Sequence, residues 1–378
     1  MGQNFELKKA NILEVFRALQ KNRALSRREI EEITGLSWGS VSQICASLIK
    51  QGIITAEKET PLAGRPPERL AMCLTKNLSL GIDINSVGLS FNVVNLAGVS
   101  VLSEFFTVDN SDKDALLAFL DEKTSAILGQ FTDIFNISLS MQGTLDRKTG
   151  VSIRSNFFEN WENVPIVDIF EQKFGVKTYL YHDPECLLTF HCNNDARLKD
   201  KTNGIIIRVD DGIGMAQLTN GSLYESNGNP VCELGHTIVV PGGLPCSCGK
   251  KGCLEVYCSL RGMKNLYSRH KNISSEEFIA LALAGEREAA EILQQAGVYL
   301  GLTVANLFTL YDPEFILIDG KAIVRLPEFF AAIEQNAKNF SDVEFNLLQA
   351  VYRKDAAAIG AAMLTIDKQL ENILFSEK

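Results

Sequence analysis

Apolar residues recur at helical spacing near the start of the chain. In residues 7–20, Ile12, Val15, Phe16 and Leu19 form one stripe, which predicts an amphipathic helix. The next run, SRREIEEITGLSWGSVSQICASLIKQGII, divides into two short helices. Ser26 caps the first, which reaches Ile33, and Glu29 completes a capping box. Gly35 makes the turn. Ser37 caps the second helix, whose inward positions are Val41, Ile44 and Leu48 and which stops at Gly52. Ile53–Glu57 and Arg69–Leu74 read as two strands of a wing, with AGRPPER between them. The pattern is that of a winged helix-turn-helix with its second helix in the major groove of DNA. Ser37, Trp38, Ser40, Ser42 and Gln43 are the side chains expected at base edges. Gln43 is the most informative, because its amide can bond adenine in two places. Arg65, between Gly64 and Pro66, is placed to reach a minor groove or phosphates. The competing reading is a helical hairpin used for protein contacts.

From residue 79 the period changes to that of strands. LSLGIDINSVGLSFNVVNLAGVSVL alternates apolar and polar positions, with a turn at Asn95–Gly98. A comparable pattern returns at 204, in GIIIRVDDGIGMAQLTNGSLY, with a hairpin signal at Asn220-Gly221. Helical segments are expected at 113–128, 274–296 and 298–310. A repeated strand-rich core with helices between predicts a two-lobed α/β body with a cleft.

Charge sharpens this division. Residues 1–72 carry 11 Lys and Arg against 8 Asp and Glu, a net +3, while the remainder holds 26 against 38, a net −12. A basic head on an acidic body fits a nucleic-acid reader joined to something else. At 378 residues and 46% hydrophobic, the chain has material for two or three domains with real cores. No apolar run is long enough to span a membrane, and MGQNFELKKAN lacks the apolar core of a signal peptide. Of nine cysteines, five crowd into 232–258. This distribution predicts a reducing cytoplasm and one metal site, not a disulfide framework.

The strongest chemical signal is CELGHTIVVPGGLPCSCGKKGCLE. Cys246, Cys248 and Cys253, with His236 ten residues upstream, supply three thiolates and an imidazole, a complete tetrahedral set for structural zinc. Gly243, Gly249 and Gly252 let the backbone curl so that the sulfurs converge. Cys232, four residues before His236, is a possible rival ligand.

Glu233-Leu-Gly-His236 and Cys246-Ser-Cys-Gly-Lys-Lys-Gly-Cys253-Leu-Glu255 resemble the ROK family of repressors, open reading frames and sugar kinases. Weaker matches surround them: Asp211-Gly-Ile-Gly214, Ser155-Asn156 with Trp161, Asp312-Pro-Glu314 and Ala357-Ala-Ile-Gly-Ala-Ala362. With the winged helix in front, the chain resembles the regulator branch. The resemblance implies an actin-like, ribonuclease-H-like body, a sugar or sugar derivative in its cleft, and a homodimer or homotetramer. It implies sugar contacts from Asn156, Asp183, Glu233, His236 and Glu255. His182 replaces a usual sugar-binding Asn, and Asp183 matches the base of the family's kinases.

The nucleotide side departs from the kinase pattern. Asp83-Ile84-Asn85-Ser86 stands where kinases carry Asp-x-Gly-Gly-Thr, and Asp210-Asp211-Gly212-Ile213-Gly214-Met215-Ala216 where they carry Gly-x-Gly-Ile-Gly-x-Gly. Asp210 would face phosphate without an obvious cation, and Asp319-Gly320 replaces a Gly-Gly pair. The expectation is a sugar-responsive repressor that binds operator DNA and has lost the ATP phosphate loops. The alternatives are an active ATP-dependent sugar kinase and a DNA-binding scaffold controlled by a partner protein. The expected domains are a head at 1–75, a first lobe at 76–190 joined by a C-terminal helix at about 358–378, and a second lobe with the metal motif at 191–357.

Overall fold

The computed structural model describes residues 2–22, 24–58, 68–108, 112–155, 158, 160–224, 232–267 and 273–375. The chain forms two compact units, Met1–Tyr181 with Ala361–Lys378, and His182–Gly360.

The first unit opens with helices Gly2–Lys21, Arg27–Thr34 and Trp38–Lys50. The Ser26 hydroxyl accepts from Glu29 N, and the Glu29 carboxylate accepts in return from Ser26 N at 2.7 Å. Gly35 takes φ 68°, the left-handed conformation that lets the chain reverse without a Cβ clash. Ile54–Lys58 and Glu68–Met72 pair antiparallel as the wing. Val15, Phe16, Leu19, Ile30, Val41 and Leu48 are fully buried, so the apolar stripes of the three helices meet as their spacing requires.

The head does not close its core alone. Leu96, Ile366 and Leu370 belong to the same buried cluster, and Ala97, Met363 and Leu374 pack against it. Leu96 and Ala97 lie in the turn after strand Leu89–Val94, and the others on the C-terminal helices Ala356–Leu364 and Ile366–Phe375. Gln20 Nε2 donates to Leu96 O at 3.0 Å, and Asn95 Nδ2 donates to Leu74 O at 3.3 Å. The head is therefore packed on its neighbour, not merely joined to it by the chain.

The sheet of the first unit runs Lys177–His182, Ile134–Met141, Leu78–Ile84, Leu89–Val94, Ser100–Phe106 in spatial order. Leu78–Ile84 pairs antiparallel with Leu89–Val94 and parallel with Ile134–Met141. The alternation read in the sequence does not mark a solvated face, because both of these antiparallel partners are buried throughout. Ser79 and Asp83 instead bond to polar side chains of neighbouring segments. Asn136 Oδ1 accepts from the hydroxyls of Ser79 and Thr365, and Asp83 accepts from Ser140 Oγ and Asn85 Nδ2, each at 2.6 Å.

The second unit repeats this plan. Its sheet runs Ser222–Leu223, Ile213–Thr219, Gly204–Val209, Ile316–Asp319, Leu347–Gln349. Gly204–Val209 is antiparallel to Ile213–Thr219 and parallel to Ile316–Asp319. Asn220 and Gly221, at φ 51° and 77°, make the hairpin turn their sequence announces. One helical boundary differs from expectation. The break falls at Gly285 (φ 70°), after Ser275–Leu283, and Arg287–Tyr311 then runs unbroken through Gly297. Gly297 serves close packing: a Cβ there would lie 2.5 Å from the Cβ of Ala332 on helix Pro327–Phe340.

Candidate functional sites

On the head, the second short helix starts at Trp38, which is 53% exposed, and Gln43 also faces solvent. Ser40 and Ser42 are half-buried. Ser37 is engaged in the cap: its Oγ accepts from Ser40 N at 3.3 Å and lies 3.0 Å from Ser40 Oγ. Arg65 lies outside the described residues. Two ion pairs fasten the wing to the first short helix, Arg27 with Glu68 and Arg69 Nη1 with Glu29 Oε2 at 2.8 Å. The Ser26 N–H and hydroxyl, with Arg69, hold Glu29 down at about 2.

In the second unit, the ligand atoms of His236, Cys246, Cys248 and Cys253 lie within 4.8 Å of one another. His236 Nδ1 is 3.6 Å from Cys246 Sγ, and Cys248 Sγ is 3.6 Å from Cys253 Sγ. A tetrahedron with metal–sulfur bonds of about 2.3 Å has edges of about 3.7 Å, so these separations fit one central ion. The backbone forms the cradle: Val239 N and Val240 N both donate to Gly252 O, and Gly252 N donates to Leu244 O at 2.8 Å. Gly252 (φ 83°) is obligatory, since a Cβ would lie 1.7 Å from Val240 O. Cys232 is not a member of the cluster; burial pushes its thiol up to about 11.

A second constellation forms around Asp183, the buried first residue of helix Asp183–Asn194. Arg208 Nη1 donates to Asp183 Oδ2 at 2.6 Å, and Arg208 Nε donates to Asp210 Oδ2 at 2.9 Å. The expectation that Asp210 has no nearby cation is therefore wrong. Its other oxygen accepts from Lys321 N at 2.7 Å. Burial raises the Asp210 pKa against the opposing pull of Arg208 and the Lys321 N–H. His182 Nδ1 lies 3.3 Å from Asp183 Oδ1, and His182 N donates to Glu185 Oε2 at 3.0 Å. Burial works against a charged ring at His182, but Asp183, Glu185 and Glu233 outweigh it and hold the pKa at about 9. Glu233 is exposed beside the turn Leu234–His236. Glu255 is engaged on both oxygens, with Arg261 Nη2 at 3.0 Å and Ile213 N at 3.2 Å, and so braces the Gly212–Ile213 turn. Asn156 lies outside the described residues.

Sequence reasoning missed Arg208 and Arg261. The signal for Arg208 was present: it is the one charge within the apolar strand Gly204–Val209, and a buried guanidinium must find carboxylates.

A winged helix-turn-helix joined to a duplicated mixed sheet with a three-cysteine, one-histidine cluster defines a class: a DNA-binding head on an actin-like body. Residues 9–55 match the winged helix-turn-helix DNA-binding model, and residues 79–368 match the ROK family model. The chain belongs to the ROK family. It is 24% identical to the xylose repressor of Bacillus spizizenii, across 97% of each chain. It is 24% identical to the N-acetylglucosamine repressor of Escherichia coli, over 97% of this chain and 95% of that one. A solved ROK family transcriptional regulator, a homolog of the E. coli Mlc protein, superposes with a TM-score of 0.79 at 22% identity, covering 97% of this chain and 98% of the other. Among the described residues no helix is long and apolar enough to cross a membrane.

Proposed function

We propose that the chain is a sugar-responsive transcriptional repressor that binds operator DNA through the head and a sugar or sugar derivative through the body. The observation that carries this is the combination of the ROK body with an exposed helix start, Trp38 to Gln43, on a winged head. Full-length similarity to repressors supports it. His182, Asp183 and Glu233 are the proposed sugar contacts, joined by His236, whose Nδ1 faces the sulfurs and leaves Nε2 on the other edge of the ring. Glu255 is proposed as a brace for the site. Zinc is the proposed metal, because thiolate and imidazole in a closed tetrahedron are its preferred donors. Its role is to fix the 236–253 loop.

The nucleotide side supports a binder over a kinase. Asp210 occupies both Arg208 and the Lys321 N–H, and Asp183 is ion-paired, so neither resembles a free phosphate loop or a free base. We assign a head at 1–75, a first lobe at 76–181 with 361–378 and a second lobe at 182–360, the lobe boundaries falling before helix Asp183–Asn194 and not at 190/191 as the sequence suggests, in a cytoplasmic homodimer or homotetramer. Binding sugar needs to shift operator affinity by only ~1–3 kcal/mol, ~5–150-fold. Fluorescence anisotropy on promoter DNA from the chain's own locus tests the reading, with and without a panel of sugars. Salt-sensitive binding that changes with one sugar is expected. ATP-dependent sugar phosphorylation lost in Asp183→Asn would instead establish a kinase.

A further inference from the structure

We propose that Arg208 sets the chemical class of carbohydrate this chain accepts, an uncharged sugar in preference to a phosphorylated one, by bridging Asp183 and Asp210. The inference rests on the reading that the residues around Asp183 face a sugar. Arg208 is only 12% exposed and sits in an otherwise apolar strand. Its two bonding edges are committed to carboxylates, Nη1 to Asp183 and Nε to Asp210. This geometry does two things. It orients the Asp183 carboxylate, whose oxygens are the acceptors offered to sugar hydroxyls. It also commits Arg208 to internal carboxylates, which compete with any arriving anion.

The neighbouring cations are matched in the same way. Arg261 is on Glu255, while Lys321 and Arg325 are both on Glu276. Around Asp183, the carboxylates Asp183, Asp210, Glu185 and Glu233 exceed the cations Arg208 and His182. A phosphate ester brings about two further negative charges into that surplus, whereas a neutral sugar brings donors that ionised carboxylates favour. Arg208 is thus a positioning residue, acting through Asp183, and a specificity determinant against anions.

Isothermal titration of the full chain with D-xylose, D-glucose, N-acetyl-D-glucosamine and the phosphate ester of each tests this. The expected result is that at least one free sugar binds and its ester binds tenfold more weakly or worse. Arg208→Met should lower affinity for that sugar at least tenfold. Arg208→Lys keeps the charge but serves one carboxylate, and should recover part of the loss. Asp210→Asn leaves Arg208 on Asp183, and should keep the free sugar within threefold while narrowing discrimination against the ester. An ester that binds as tightly as its sugar in the unmodified chain overturns the proposal, as does an Arg208→Met protein with unchanged affinity. If Arg208→Met does not fold, unchanged discrimination in Asp210→Asn overturns it. No binding by any of the six probes removes the carbohydrate reading itself, and this inference with it.

Discussion

Replacing Leu370 by alanine perturbs the C-terminal helix, yet its main effect is expected in the N-terminal head. Leu370 is fully buried, in the cluster that contains Phe16, Leu19 and Leu48. Truncation removes buried methyl and methylene groups and leaves a cavity, which costs ~2–5 kcal/mol for Leu→Ala in a core. A small domain has only ~5–15 kcal/mol in total, so the head should stay folded at 25 °C but open far more often. At ~1.4 kcal/mol per tenfold, a loss of ~2 kcal/mol is about a 30-fold rise in the open population. Hydrogen exchange resolved by segment measures this directly. Amides of Arg27–Thr34 and Trp38–Lys50 should exchange at least 30-fold faster in Leu370→Ala. Leu116→Ala is the matched control, a buried truncation in the separate cluster of the first unit's sheet, and should leave head amides unchanged. If Leu370→Ala frays only its own helix while the head keeps its protection, the shared-core reasoning is wrong.

Four other outcomes are expected. Metal analysis should find one ion per chain, lost in Cys253→Ser, and chelation should lower the unfolding temperature of the body, because ligand assembly and folding are linked. Gly252→Ala should have the same consequence without removing a ligand, since its Cβ would overlap Val240 O. His182 should titrate near 9 by NMR. Its folded pKa is raised, so its contribution to stability is complete below about 6.5 and lost as pH climbs through about 9; an unfolding temperature that rises from pH 7 to 10 in the unmodified chain, but not in His182→Asn, would contradict this. Gln43→Ala should cost ~1–3 kcal/mol of discrimination at one operator position, read by anisotropy on single-base variants. A uniform loss across all sequences would mean that Gln43 does not read a base.

The head was legible because its signals are local. Ser26, Glu29, Gly35 and Ser37 act on backbone groups within four residues, and the apolar stripe of Ile12 to Leu19 needs only a helix to become a face. The His236–Cys246–Cys248–Cys253 cluster was legible for the same reason, since three thiols in eight residues among glycines make poor core. Alternation misled in strands Leu78–Ile84 and Leu89–Val94, which are buried throughout, Ser79 bonding to Asn136 on a neighbouring strand and to Thr365, far away in the chain. The helix break was misplaced because glycine serves turns and close packing alike, and only Ala332 on a neighbouring helix decides between them at Gly297.

By itself, then, the order of residues determined the elements and caps of the head and the Cys/His set of the 236–253 loop, all of which follow from spacing within one segment. Tertiary structure alone decided that Leu370 completes the core of the head and that Arg208 bonds to both Asp183 and Asp210. Burial makes pairing compulsory for a buried charge or apolar side chain, but the partner's identity depends on which distant segments the fold brings together.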